Sequence, residues 1–281
     1  MSLETTIAGL VSASNALTDA VSKKISVIDA KVAAATEQVP ATVRAEVSKI
    51  LFVDSSSGSD TNTGLSGDKP LKTIGAAINK VMVGGSATIN LRRGRVYEVT
   101  QSMGGNNVDK KSILFISWGA EAGRPIIRGT LTSWSSGTNI YICNAFMSVT
   151  EMTLKFSDCR IETGLLNGFT HYGSNYGGFF SRDGGSGESV GFKIFLHKCE
   201  VVVQDVPLFS TYFGFMQLSI AGSTITKGGV QARIVDSLIP KMIDVDSVSI
   251  SGFGSGITLE NLLSMTAGSC ISRQSASTVT A

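Results

Sequence analysis

Charge is scarce in this chain. Of 281 residues only 16% are Asp, Glu, Lys or Arg, and the net charge is +2. No basic cluster concentrates that small excess, so neither nucleic acid nor an anionic membrane is expected as a partner. Histidine is scarcer still: with two residues, His171 and His197, a His-rich metal centre is excluded. The four cysteines, Cys143, Cys159, Cys199 and Cys270, stand too far apart for a CxxC or zinc-ribbon spacing and read as free thiols in the core. No apolar run reaches bilayer-spanning length. The opening MSLETTIAGLV has no positive n-region, and Asn15, Asp19 and Lys23 interrupt it, so the expectation is a soluble protein made in a cytoplasm. GxSxG, P-loop and HExxH patterns are missing too, and no cofactor is expected.

What is present is glycine, 31 residues of it, together with abundant Ser and Thr. That composition describes strands and turns, hence an all-β chain. The length suits one large domain with an appendage. The appendage comes first: Leu3, Ile7, Leu10, Leu17, Val21, Ile25, Ile28, Val32, Ala35 and Val39 recur at steps of four and three. Ser14 occupies one seam position, and Leu17, Val21 and Ile25 form a stutter. So narrow a stripe needs identical neighbours and predicts a parallel coiled coil, with two strands or three left open. Gln38-Val39-Pro40 predicts a break. Ala41 to Lys49 then forms a second short helix or a kinked continuation.

From Ile50 to Val53 a hydrophobic strand leads into a Ser/Gly/Asp/Asn/Thr loop, and after Pro70 a short helical pattern places Ile74, Ala77, Ile78 and Val81 on one face. The residues Val53, Asp54, Gly58, Asp60, Asn62, Thr63, Gly64, Pro70, Lys72, Thr73, Ile74, Ala77 and Ile78 resemble the lead-in segment of bacteriophage tailspike and tail-fibre proteins with pectate-lyase-like parallel β-helices. The resemblance implies a right-handed, single-stranded parallel β-helix, a homotrimer, and a place in the virion tail. It also implies contacts with other tail or baseplate proteins through the N-terminus and a bacterial surface glycan as ligand. The segments so defined are a helical stalk at 1–49, a cap segment at 50–85 and a β-helix at 86–281.

A repeating unit supports the β-helix. Two short alternating strands joined by a tight bend recur as Met147, Val149, Met152, Leu154; as Leu154, Phe156, Cys159, Ile161; and as Ile194, Leu196, Cys199, Val201. The unit continues as Leu218, Ile220, Ser223, Ile225; as Ala232, Ile234, Ser237, Ile239; as Ile243, Val245, Val248, Ile250; and as Ile257, Leu259, Leu262. Such a unit is one corner of a rung, and each rung leaves open edges until another stacks on it. Cys159 and Cys199 share the bend column with Ser223 and Ser237 and read as buried.

Candidate chemistry centres on residues 162–192, where glycines interrupt the repeat and argue against a regular strand. Phe169, His171, Tyr172, Tyr176, Phe179 and Phe180 supply aromatic surface there. His171, Tyr172, Asn175, Tyr176, Phe179 and Arg182 form the candidate glycan site, with packing against a neighbouring subunit as the competing reading. The run Phe209 to Phe215 reads as a buried strand or a subunit contact, and His197 as a structural histidine. A glycosidase would require a carboxylate pair. Asp158, Asp183 and Asp236 are the catalytic candidates within a wider set of Glu162, Glu188, Asp205, Asp244 and Asp246, and rung stacking suggests Asp158 near Asp236. Arg160 and Lys198 flank a bend as a lyase base would, but no acidic cluster supports calcium, and the Asp54/Asp60/Asn62 loop reads as a cap turn. The function implied is attachment to a bacterial polysaccharide, with a tail depolymerase and a purely structural virion part as alternatives.

Overall fold

A β-strand turns its side chains alternately to two faces, and here the alternation sets one face of every strand against a common interior. The computed structural model describes residues 2–101, 106–133, 140–141, 144–148, 150–171, 177–182, 191–210, 215–236, 241–265, 268–273 and 277–280. The chain falls into two units, Met1–Glu46 and Val47–Ala281.

In the second unit the strands form an eight-stranded, a seven-stranded and a five-stranded sheet, with a separate two-stranded pair. Neighbours in each are parallel. The chain visits the three sheets in turn and returns one strand further along each. For example, Glu151–Ser157 on the first side is followed by Arg160–Glu162 on the second and Gly178–Arg182 on the third. Gly191–His197 then lies beside the strand where the circuit began. This is the geometry of a parallel β-helix.

In-register stacking builds the core as columns. Ala87, Ile113, Leu154, Ile194, Leu218 and Ile243 form one, and Leu51, Ile89, Phe115, Phe156, Leu196, Ile220 and Val245 another. All of these are buried. On the third side Phe146, Phe180 and Phe209 lie in register, with ring centroids 5.7 and 5.3 Å apart. Phe115 and Phe156 stack beside them at 4.8 Å.

The corner between first and second sides repeats one backbone solution. Asp158, Lys198, Gly222 and Ser247 have φ of 54°, 52°, 55° and 53°, the left-handed region that costs a non-glycine residue roughly 1–2 kcal/mol. The strain is held because Asp158, Lys198 and Gly222 donate their N–H to His197, Ala221 and Asp246 of the next rung. The residue after each corner points inward: Cys159, Cys199, Ser223 and Val248 are buried.

Both ends of the barrel carry a short helix. Helix α1 (Leu3–Val47) belongs to the stalk, α2 (Ile74–Asn79) follows the first strand, and α3 (Leu259–Leu262) stands between the last circuits. Asp60 accepts from the Lys72 and Thr73 N–H groups and the Thr73 hydroxyl, and Thr73 caps α2 at Ala76. Ile74, Ala77, Ile78 and Val81 are buried, as the spacing predicts. Asp54 accepts from Ser56 and Ser57, so both loop aspartates serve as turn caps. At each end a lysine from the start of a first-side strand binds a carbonyl in the last turn of the short helix or just past it: Lys111 Nζ to Ile78 O at 3.0 Å and Lys241 Nζ to Ser264 O at 2.7 Å.

Several expectations are corrected. Helix α1 continues through Pro40 to Val47. Losing one donor costs about 3 kcal/mol, and the helix-forming residues on both sides carry the helix past it. The first strand starts at Ser48. Ala232 to Ile239 is not a corner: Val235–Asp236 belongs to the third side, and Ser237 lies outside the described residues. Met147 to Leu154 crosses from third to first side, and Ile257 to Leu262 leads into α3. Cys159 and Cys199 are buried free thiols, but Cys270, on the terminal first-side strand, is exposed. Cys143 lies outside the described residues.

Within α1, Ile7, Leu10, Leu17, Val21, Ile25, Ile28 and Val32 are all exposed. No helix among the described residues is long and apolar enough to cross a membrane.

Candidate functional site

Part of the glycine-rich stretch belongs to the β-helix. Gly178–Arg182 is a regular third-side strand between Asn144–Ser148 and Phe209–Ser210. Gly178 is required there because a Cβ would come within 2.7 Å of the Ser210 nitrogen. Phe179 is fully buried, 5.7 Å from Phe146 and 5.0 Å from Phe180. It is a core residue and no sugar reaches it. His171 lies in a two-residue strand beside Ile140–Tyr141, and Arg182 ends the Gly178 strand. Tyr172, Asn175, Tyr176, Asp183 and Glu188 lie outside the described residues. Asp236 sits on the third side, 3.3 Å from Arg233. Asp158 is at the opposite corner between first and second sides, so the expected pairing of these two carboxylates does not form. His197 is exposed, with Nδ1 3.4 Å from the Ser157 hydroxyl. Of the run Phe209 to Phe215, Phe209 is buried on the third side, Phe215 is 40% exposed at the start of a first-side strand, and residues 211–214 lie outside the described residues.

The described residues most organised for chemistry lie on the outer face of the second side. Register puts Arg160 between Ile126 and Glu200, and Glu162 between Arg128 and Val202. Opposite charges therefore meet along the strand at Arg160 and Glu162 and across strands at Arg128–Glu162 and Arg160–Glu200. Glu162 accepts from Arg128 Nε at 2.7 Å and Arg160 Nε at 2.8 Å. Arg160 Nη1 stands 3.8 Å from Glu200, and Glu200 is bonded in turn by Arg124 Nη1. Arg124 Nε reaches Asp158 at 2.9 Å, and Asp158 also takes bonds from Arg93 and from the Ser117 hydroxyl at 2.6 Å. The result is one ladder: Arg93, Asp158, Arg124, Glu200, Arg160, Glu162, Arg128. Glu98 is the strand neighbour of Arg128.

Burial works against ionisation of Asp158, but the bonds from Ser117, Arg124 and Arg93 outweigh it and hold its pKa down to about 2. Arg124 is pushed the other way, chiefly by its bond to Asp158. Inside the corner, burial raises the Cys199 thiol to about 11 and the Cys159 thiol well above its ordinary value; both are inert core groups. Among the described residues no cluster of His, Cys, Asp and Glu suits a metal ion.

Two depressions open along the ladder. One, of about 420 Å³, is lined by Arg128, Thr130, Leu131, Glu162, Leu165, Asn167, Phe169 and Gln204 among others. Its floor is built rather than incidental, since Leu131, Leu166 and Phe169 pack on the buried Val206. Gly164 lets them close: a Cβ there would meet Leu131 and Val206 at 3.2–3.3 Å. The second depression, about 490 Å³, is lined by Arg93, Gly94, Gly123, Arg124, Ile126, Asp158, Arg160 and Glu200. An aromatic ring on an apolar floor with a rim of Arg, Glu, Asn and Gln can stack on a pyranose face and bind its hydroxyls.

Against known proteins, no family model matches the chain and no curated protein matches it. Among solved structures the chain is similar to a rhamnogalacturonan lyase, with 16% identity over 72% of this chain and 68% of that one and a TM-score of 0.36. It is similar also to the GH136 lacto-N-biosidase from Eubacterium ramulus, with 16% identity over 76% of this chain and 36% of that one and a TM-score of 0.32. The parallel β-helix rests on the register of the chain's own strands and owes nothing to these likenesses.

Of the site residues, Asp158, Glu162, Arg160 and Phe169 stand out in the sequence, while Arg93, Arg124, Arg128, Glu200 and Gln204 do not. Their signal is the spacing Ile126-x-Arg128, Arg160-x-Glu162 and Glu200-x-Val202-x-Gln204, which puts each set on one outward face. Only the rung register aligns the three sets.

Proposed function

We propose that the chain is a subunit of a homotrimeric bacteriophage tail spike or fibre that attaches to a bacterial surface polysaccharide. The observation that carries the glycan reading is the depression in which Phe169, Leu131 and Leu165 meet Arg128, Glu162, Asn167 and Gln204. The exposed apolar stripe of α1 supports assembly through a coiled coil, since an unpaired stripe of this kind gains stability only against its copies. The likeness of the segment from Val53 to Ile78 to tailspike lead-in segments supports three copies and a tail location, with the N-terminus toward other tail or baseplate proteins. Repetition over three subunits multiplies weak single-site binding, so shallow depressions suffice.

Binding without cleavage is favoured over depolymerisation. A glycosidase needs a protonated carboxylic acid at working pH, and Asp158 is held ionised by its donors. The oxygens of Glu162 are taken by Arg128 and Arg160. The test is retention of the trimer on host polysaccharide in affinity electrophoresis. Phe169→Ala and Gln204→Ala each weaken binding about tenfold, about 1.4 kcal/mol. Unchanged binding by both variants removes this depression as the site.

A further inference from the structure

The ladder has a donor surplus with a chemical consequence. Its carboxylate oxygens are largely engaged: both oxygens of Asp158 and both of Glu162 accept hydrogen bonds, and Glu200 accepts from Arg124 with Arg160 close by. Its guanidinium groups are not. Each carries five N–H donors. Among the described residues, Arg124 uses Nε and Nη1, Arg93 uses Nε and Nη1, and Arg160 forms a hydrogen bond only through Nε. Among the described residues no hydrogen bond reaches Nη2 of any of the three, and all three line the depression of about 490 Å³. A group entering there finds donors to satisfy and few acceptors to meet. The charge count of the lining agrees, with Arg93, Arg124 and Arg160 against Asp158 and Glu200. Gly94 and Gly123 line the depression, and Gly94 is fixed there by the fold, since a Cβ on it would stand 2.9 Å from the Ala122 carbonyl.

We infer that this second depression takes a carboxylate-bearing sugar, so that the glycan bound is an acidic polysaccharide. A planar carboxylate matches a guanidinium edge in two parallel bonds, which a hydroxyl does not. The neighbouring depression, with Phe169 on its floor, takes an uncharged residue of the same chain. Arg160 and Glu162, on one strand, separate the two. The inference rests on the glycan-binding reading and adds the substrate class.

The experiment is calorimetric titration of the intact protein with two probes: a glucuronate-containing capsular polysaccharide, and the same polymer with its carboxyls reduced to primary alcohols. The expected result is at least tenfold weaker binding of the reduced polymer, and binding of the native polymer that falls with added salt. Arg160→Gln is the variant of choice because it orphans no carboxylate: Glu162 keeps Arg128 and Glu200 keeps Arg124. It weakens the native polymer about tenfold and the reduced polymer far less, and circular dichroism shows the fold retained despite the lost bond to Glu162. Equal affinity for the two polymers overturns the acidic-sugar inference while leaving glycan binding standing. Binding of neither polymer, nor of other bacterial polysaccharides, overturns both. Wild-type affinity of Arg160→Gln for the native polymer places the carboxylate elsewhere and overturns the assignment.

Discussion

Asp158 joins the corner geometry to the ladder, and its replacement by Asn separates the two roles. Asn accepts the left-handed conformation at φ 54° nearly as well as Asp, so Asp158→Asn keeps the corner and removes the charge. A carboxyl that ionises at about 2 instead of its ordinary 3.8 contributes up to about 2.4 kcal/mol at neutral pH. Its side chain is 35% exposed, and solvent screening reduces that figure to about 1 kcal/mol. Because the folded-state pKa lies below the unfolded one, the stabilisation is complete above about pH 5 and is lost as the pH falls through about 2. The difference in urea unfolding free energy between wild type and Asp158→Asn is therefore about 1 kcal/mol at pH 7 and about a third of that at pH 2.5. Comparing the two proteins cancels the titration of all other groups. A difference that stays constant between pH 7 and pH 2.5 refutes the reasoning, because it assigns the loss to shape and not to the ionised carboxylate.

Leu17→Asp with Ile28→Asp places charges in the α1 seam and is expected to lower the native mass measured by light scattering; an unchanged mass shows that the β-helix alone holds the assembly. Phe146→Ala empties the centre of the ring cluster formed with Phe115, Phe156, Phe179 and Phe180 and is expected to cost about 3–5 kcal/mol by chemical unfolding. A loss under about 1 kcal/mol would mean that the neighbouring rings collapse into the space. Burial lowers the Lys241 pKa to about 8, so the unfolded chain binds the extra proton between about pH 8 and 10.4, and stability through this group rises across that window. Lys241→Met is expected to lack that rise, and a rise of equal size in both proteins assigns it to other groups.

The sequence carries the architecture because its signals are local. Alternation in Leu154-x-Phe156 and Ile194-x-Leu196, with a small residue after each bend, marks a corner wherever it occurs. The cap segment is equally local: Asp60, Thr73 and Ile74 to Ile78 sit within one short stretch. The third side escapes local pattern because its strand Gly178–Arg182 carries a glycine, which a single strand resists and which close approach of Ser210 requires. That contact comes from the next rung and has no trace in local composition. Phe179 was misassigned for the same reason, since two consecutive buried aromatics break the period of two.

The ladder was hidden for a related cause. Arg124 and Glu200 lie 76 positions apart, Arg93 and Asp158 65, and parallel stacking converts those separations into contacts. Pattern along the chain predicts which face each of these residues occupies. It does not predict which rung stands next to which when the stretches between consecutive elements vary from two residues, between Ser157 and Arg160, to twenty, between Val53 and Ile74. At Pro40 the break gives way to continuation, one of the two outcomes the local signal leaves open.

The central claim is that the protein holds a surface polysaccharide without cutting it. Its most direct test is gel filtration with light scattering of bacterial capsular and O-antigen polysaccharides after incubation with the purified protein. The account predicts that a recognised polymer co-elutes with protein and keeps its own mass over time. Progressive shortening of the polymer contradicts it and makes the protein a depolymerase, whereas the absence of co-elution with polymers from several hosts removes the glycan reading and favours the structural alternative.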